Sequence, residues 1–169
     1  MDAANPTGGQ VYDAVQNPSP TAIVVYCGDP RFQVAFDQFI ENGLKLAKGQ
    51  FIPLVIGGGA GVLSQPEKLP KEFKFLKDRF DLIRAQFPSV KRVILINHED
   101  CEYYGMLREK FAGFLNAHGF ANHPREDMQR IAGIARLLLP FLGVSLDMYY
   151  ARFADEQHTK IAFEPIKAG

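Results

Sequence analysis

Cys27 and Cys101 are the only two cysteines in the chain, and each follows an aliphatic run that reads as a buried strand. His98 stands three residues before Cys101. A His-x-x-Cys turn can aim both donors at one metal ion. With Cys27 brought in from a neighbouring strand, the set becomes two thiolates and one imidazole, which suits tetrahedral zinc at about 2.0–2.3 Å. Three protein ligands leave the fourth position open, and an open position marks catalytic rather than structural zinc. Taken singly, a cysteine is more often an inert core thiol and a histidine a hydrogen-bonded loop residue. The joint pattern is what points to a metal. Two cysteines are too few for a disulfide scaffold, and a reducing compartment keeps both as thiols.

Asp29 and Arg31 share the first cysteine's loop in a C-x-D-x-R string. An arginine at a helix start opposes the macrodipole and gains from a carboxylate partner, and Asp29 is the nearest in sequence. The run Gly57, Gly58, Gly59, Ala60, Gly61 permits close backbone approach and positive φ. It lacks the Gly-Lys-Ser/Thr ending of a phosphate loop, so a nucleotide site is rejected. His118, His123 and His158 lie in polar stretches and read as solvated; the loop acids Glu99 and Asp100 read the same way.

These residues need a scaffold, and the hydrophobic pattern supplies one. Strands are predicted at 21–26, 51–56 and 92–97, each ending in a loop that holds the residues just named. Helices are predicted between them. One starts at Phe32 and carries Phe36, Phe39, Ile40, Leu44 and Ala47 up to the stop at Gly49. A second carries Phe73, Leu76, Phe80, Ile83 and Phe87 and ends at Pro88. A third carries Tyr104, Leu107, Phe111 and Phe114, and a fourth opens at Asn122, His123 and Pro124 and runs to about Leu139. Val144 to Arg152 and Lys160 to Glu164 read as an antiparallel pair closing the sheet. The expectation is an α/β fold: a mainly parallel sheet with helices on both faces and a C-terminal antiparallel edge strand. Such sheets bind ligands beyond the carboxyl ends of their strands, where both cysteines fall.

The remaining composition narrows the partners. Of 169 residues, 47% are hydrophobic and 22% charged, with 19 basic residues balancing 19 acidic ones. Without a basic block there is no footprint for nucleic acid or an anionic membrane surface. No apolar run approaches the roughly 20 residues of a spanning helix, and the first 20 residues have neither a basic nor an apolar signal region. A cytoplasmic protein is expected, with residues 1–20 as a mobile arm and 21–169 as one domain. A chain this long buries roughly 69% of its unfolded surface, enough for a self-sufficient core.

In the order C-x-D-x-R then H-x-x-C, the chain resembles the β-class carbonic anhydrases over about residues 21–166. The resemblance implies that Cys27, His98 and Cys101 hold zinc, and that Asp29 and Arg31 form a dyad beside the exchangeable fourth ligand. It implies reversible hydration of carbon dioxide to bicarbonate by a metal-bound hydroxide, with Asp29 accepting a hydrogen bond and Arg31 keeping Asp29 ionised. Asp29 can itself become the fourth ligand in a closed state. A homodimer or higher homo-oligomer is implied too. The chain departs from the family's usual pattern at Pro30, at Glu102, and at Gly59 to Val62, where two side-chain amides are absent. Two alternatives use the same site: hydrolysis of carbonyl sulfide or carbon disulfide, and a zinc-binding relative without turnover.

Overall fold

The run Ala22 to Cys27 is buried at every residue, as a strand flanked by two others and covered on both faces must be. In the computed structural model, which describes residues 10–64, 66–67, 69–106, 124–138 and 143–167, this run is β1 (Ala22–Cys27). It is followed by β2 (Phe51–Ile56), β3 (Arg92–His98), β4 (Ser145–Phe153) and β5 (Ile161–Pro165). The sheet order is β2-β1-β3-β4-β5. The first four strands are parallel and β5 is antiparallel to β4, as the alternation of strands and helices predicts.

Alternate residues face opposite layers. Ile23 and Val25 of β1, with Val93 and Leu95 of β3, pack against α2 (Pro70–Gln86), α3 (Pro124–Leu138) and a 3-10 turn at Gly59–Leu63. Val24 and Tyr26, with Ile94 and Ile96, face α1 (Gln33–Gln38) through Phe32, Phe36 and Ile40. The α2 stripe works as its spacing predicts, burying Leu76, Phe80 and Ile83. Each such side chain contributes about 1.5–3 kcal/mol. Pro70 starts α2 at its first turn, and the backbone N–H of Phe87 closes it on Ile83 before Pro88.

The first helix is shorter than its apolar stripe. After Gln38 the backbone widens into a π turn at Phe39–Gly43, where the Leu44 N–H reaches Phe39 O at 2.9 Å, and Lys45 then takes a left-handed φ of 56°. Asn42 and Gly43 are weak helix formers, which explains why the helix stops there rather than at Gly49. Gly43 is needed in this turn, since a Cβ there would lie 2.7 Å from the Phe39 ring. Of the predicted third helix, residues 102–106 are helical; Leu107, Phe111, Phe114, His118 and His123 lie outside the described residues. Residues 10–19 are exposed, and Pro20 is held by a hydrogen bond from Ser89 Oγ to its carbonyl. Among the described residues, no helix is long and apolar enough to cross a membrane.

Candidate metal centre

The site begins as a fork in the sheet. β1 stays paired with β2 through Cys27↔Ile56, and β3 with β4 through His98↔Ala151. β1 and β3 pair with each other only from Ala22↔Arg92 to Val25↔Leu95. Their last residues part, so Cys27 and His98 end on opposite sides of the gap. This is also where the strand order reverses, the place where open α/β sheets take ligands.

Gly59 fills the base of the fork. Its φ is +51°, and a Cβ there would lie 2.9 Å from Ile96 O and 3.0 Å from the Cys27 nitrogen. The neighbouring glycines admit aromatic rings: a Cβ on Gly58 would come within 2.2 Å of the Tyr103 ring, and one on Gly61 within 2.3 Å of the Tyr104 hydroxyl. The Gly-rich loop therefore works by close backbone approach, as its composition predicts.

His98 is wholly buried, its ring centroid 4.3 Å from that of Phe32, with Phe36 presenting an edge. Its Nδ1 lies 2.7 Å from the Glu99 carbonyl oxygen, an acceptor that requires Nδ1 to carry the proton. Nε2 is then the lone-pair nitrogen, and it is buried with no hydrogen-bond partner among the described residues. Such an orphan costs free energy unless something binds it. Glu99 is fixed in turn: its N–H donates to Ala151 O at 2.8 Å, and its carboxylate accepts the Phe153 N–H at 2.9 Å.

The Cys27 and Cys101 sulfurs are 3.9 Å apart, and the donor atoms of Cys27, His98 and Cys101 all lie within 4.8 Å of one another. Two sulfurs at 2.3 Å from a tetrahedral zinc would be about 3.8 Å apart. The three buried residues could hold a metal ion, and their spacing and orphaned nitrogen fit zinc. In the metal-free pair, the hydrogen bond from Cys101 pulls the Cys27 thiol well down, with His98 beside it assisting against burial. Cys101 is pushed up because it donates to Cys27, is buried and faces that sulfur's charge, although the Tyr103 and Tyr104 backbone N–H groups favour its thiolate. A bound cation would replace the shared proton, and both sulfurs would then serve as thiolates.

Asp29 and Arg31 meet beside this set. Asp29 Oδ1 accepts the Arg31 backbone N–H at 2.9 Å and Nε at 3.1 Å, and Oδ2 accepts an Nη2 proton at 2.7 Å. The Asp29 side chain is 7% exposed and that of Arg31 38%. The Arg31 hydrogen bonds hold the Asp29 carboxyl below the usual carboxylate range, outweighing burial. Asp29 is not in the three-residue donor group; its oxygens are engaged by Arg31. Gln33, at the start of α1, ties the loop down by donating from Nε2 to Cys27 O and Asp29 O.

A cavity of about 410 Å³ opens here, with Cys27, Asp29, Arg31, Cys101, Glu102 and Tyr103 in its wall. Glu102, where the chain departs from the family pattern, does reach this space. Two residues read as solvated acids instead have partners: Glu99 as above, and Asp100, which binds Arg31 through its carboxylate at 2.8 Å and its carbonyl at 2.7 Å. His158 is exposed, as expected, and stacks on Phe153. Asn97 was readable in principle, being the one uncharged polar residue in RVILIN: its Nδ2 donates to the Tyr104 hydroxyl at 3.0 Å, and its Oδ1 accepts the His98 N–H.

Fold and site together define an α/β domain with a buried Cys-His-Cys set at a sheet switch point. No protein-family model matches the chain, and no curated protein matches it. Among solved structures it is similar to β-carbonic anhydrase isoform I from the protozoan Trichomonas vaginalis, at 15% identity over 91% of this chain and 87% of that one, with a TM-score of 0.49. It is also similar to a carbonic anhydrase from Streptococcus mutans, at 14% identity over 93% and 88% of the two chains, TM-score 0.45. A third is one of the tetrameric β-carbonic anhydrases of Sordaria macrospora, at 14% identity over 95% and 85%, TM-score 0.44.

Proposed function

We propose that the chain is a zinc-dependent lyase that interconverts carbon dioxide and bicarbonate, in the manner of the β-class carbonic anhydrases its motifs resemble. The observation that carries this reading is the His98 Nε2, without a hydrogen-bond partner among the described residues and grouped with both sulfurs beside a carboxylate held by Arg31. Cys27, His98 and Cys101 would hold the zinc, which when bound supplies Lewis acidity that makes water acidic near neutral pH.

The chain's own residues do the rest. Glu99 O fixes the His98 tautomer, so that Nε2 is offered without a proton to displace. Two thiolates would offset the metal's charge, which leaves a use for a hydrogen-bond acceptor close by. Asp29 meets it: it is ionised at neutral pH, in the cavity wall, and kept from turning toward the sulfurs by Arg31. Carbon dioxide, small and uncharged, suits a cavity whose wall also includes Pro30, Tyr103 and Met106. We read residues 21–169 as the working domain, in a reducing cytoplasmic setting that keeps the ligands as thiols, assembled as a homodimer or higher homo-oligomer.

The test is stopped-flow hydration of carbon dioxide from about pH 7 to 9 on protein whose zinc is counted in the same sample. Hydration should rise with pH, and Asp29→Ala should lower it about a hundredfold while one zinc per chain is retained. One zinc per chain without hydration would reject the activity. Sulfide release from carbonyl sulfide or carbon disulfide by that sample would move the site to those substrates.

A further inference from the structure

Arg31 does not serve Asp29 alone. Its Nε and Nη2 engage Asp29, while Nη1 donates to Asp100 Oδ2 at 2.8 Å and Nη2 also to Asp100 O at 2.7 Å. Four donor contacts spread over two loops leave the planar guanidinium little freedom to turn. Asp100 can offer carboxylate and carbonyl to one group because its backbone is left-handed, with φ of 51°. Aspartate is among the few residues besides glycine that adopt this conformation readily. The two partners differ in setting: the Asp29 side chain is 7% exposed and that of Asp100 67%. One carboxylate lies inside the site, and the other braces the same arginine from the solvent side.

We propose that Asp100 is a positioning residue that acts through Arg31, holding the guanidinium in the orientation that keeps Asp29 paired and in place at the cavity wall. The inference rests on the reading of Asp29 as the hydrogen-bond acceptor beside the metal set. Asp29 by itself fixes only one edge of the guanidinium; the Asp100 contacts fix the opposite side and stop rotation about the shared Nη2. A brace of this kind is distinct from a loop-shaping role, because the left-handed turn and the carbonyl contact belong to the backbone and the brace to the carboxylate.

Two substitutions separate the roles. Asp100→Gly keeps the φ and the carbonyl but removes the carboxylate, and Asp100→Asn keeps a neutral acceptor in the same backbone conformation. The first readout is hydrogen exchange at the Arg31 Nε–H by NMR, in zinc-free and zinc-loaded protein. It should accelerate roughly two- to fivefold in Asp100→Gly, the range an exposed ion pair supports, and less in Asp100→Asn. The second is turnover: kcat should fall by a similar factor, with KM within about twofold of the parent and one zinc per chain retained. Unchanged Arg31 exchange in Asp100→Gly overturns the proposal, and so does an unchanged kcat in a parent that hydrates carbon dioxide. If the parent has no hydration activity while Arg31 exchange still accelerates, the brace stands and the assigned activity falls.

Discussion

The loops after β1 and β2 leave neighbouring parallel strands side by side, yet they contribute to the site in opposite ways. The first carries side chains: Cys27, Asp29 and Arg31 within five residues, pinned by Gln33. The second carries almost none, and Gly58, Gly59 and Gly61 bring bare backbone against Tyr103, the fork between β1 and β3, and Tyr104. Chemistry is concentrated on one loop and shape on the other. A reactive loop needs a neighbour that takes up space without adding competing donors, and glycine provides that with a backbone able to enter the fork.

The largest effect should come from breaking the side-chain half. Cys101→Ser removes one of the two thiolate donors, and zinc affinity should fall by at least about a hundredfold, the upper end of what even an outer partner's loss costs. Competition with a chromogenic chelator measures it; an affinity within tenfold of the parent would remove Cys101 from the ligand set. The backbone half is broken by Gly59→Ala, which meets both a left-handed φ and two backbone atoms, and should cost about 1–3 kcal/mol in urea unfolding. Gly143→Ala is the control, since φ there is +59° with nothing among the described residues within 4 Å, so the conformational part of about 1 kcal/mol is expected. Equal losses at the two positions would show that Gly59 makes no tight contact.

The smallest effect is the pH response of Asp29. Arg31 lowers its carboxyl below the ordinary value of 3.8. A depressed carboxyl stabilises the fold above the unfolded pKa, and that contribution is lost as pH falls through the lower folded value. Asp29→Asn should therefore be less stable than the parent near about pH 7, and the gap should close toward about pH 3. Urea midpoints at the two pH values on zinc-free protein test this, and a gap independent of pH would mean the Arg31 pairing adds no stability.

Much of this arrangement is legible in the residues themselves. The strands announce themselves as short aliphatic runs, and their observed limits fall within one residue of the predicted ones at either end, as with Ala22–Cys27 for 21–26. Cys27, His98 and Cys101 are readable as a set because their types match one metal's preferences and their positions all fall at strand ends. The end of the first helix is not readable from its stripe, because a π turn keeps apolar residues on the same side while changing the hydrogen-bond step. The partners of Asp100 and Glu99 are hidden for another reason. Arg31 is 69 residues from Asp100, and Phe153 is 54 from Glu99; both pairs exist only once β3 lies between β1 and β4.

The fork between β1 and β3 has a mechanical consequence. Beyond Val25 and Leu95 no backbone ladder joins the β2-β1 half of the sheet to the β3-β4-β5 half. An ion shared by Cys27 on one side and His98 and Cys101 on the other would be a rivet across that seam. Cys27 and Cys101 are separated by 74 residues, so the rivet would close a long loop and restrict the unfolded chain as a cross-link does. Metal loading would then lock the two halves of the sheet together at the end where the strands themselves let go.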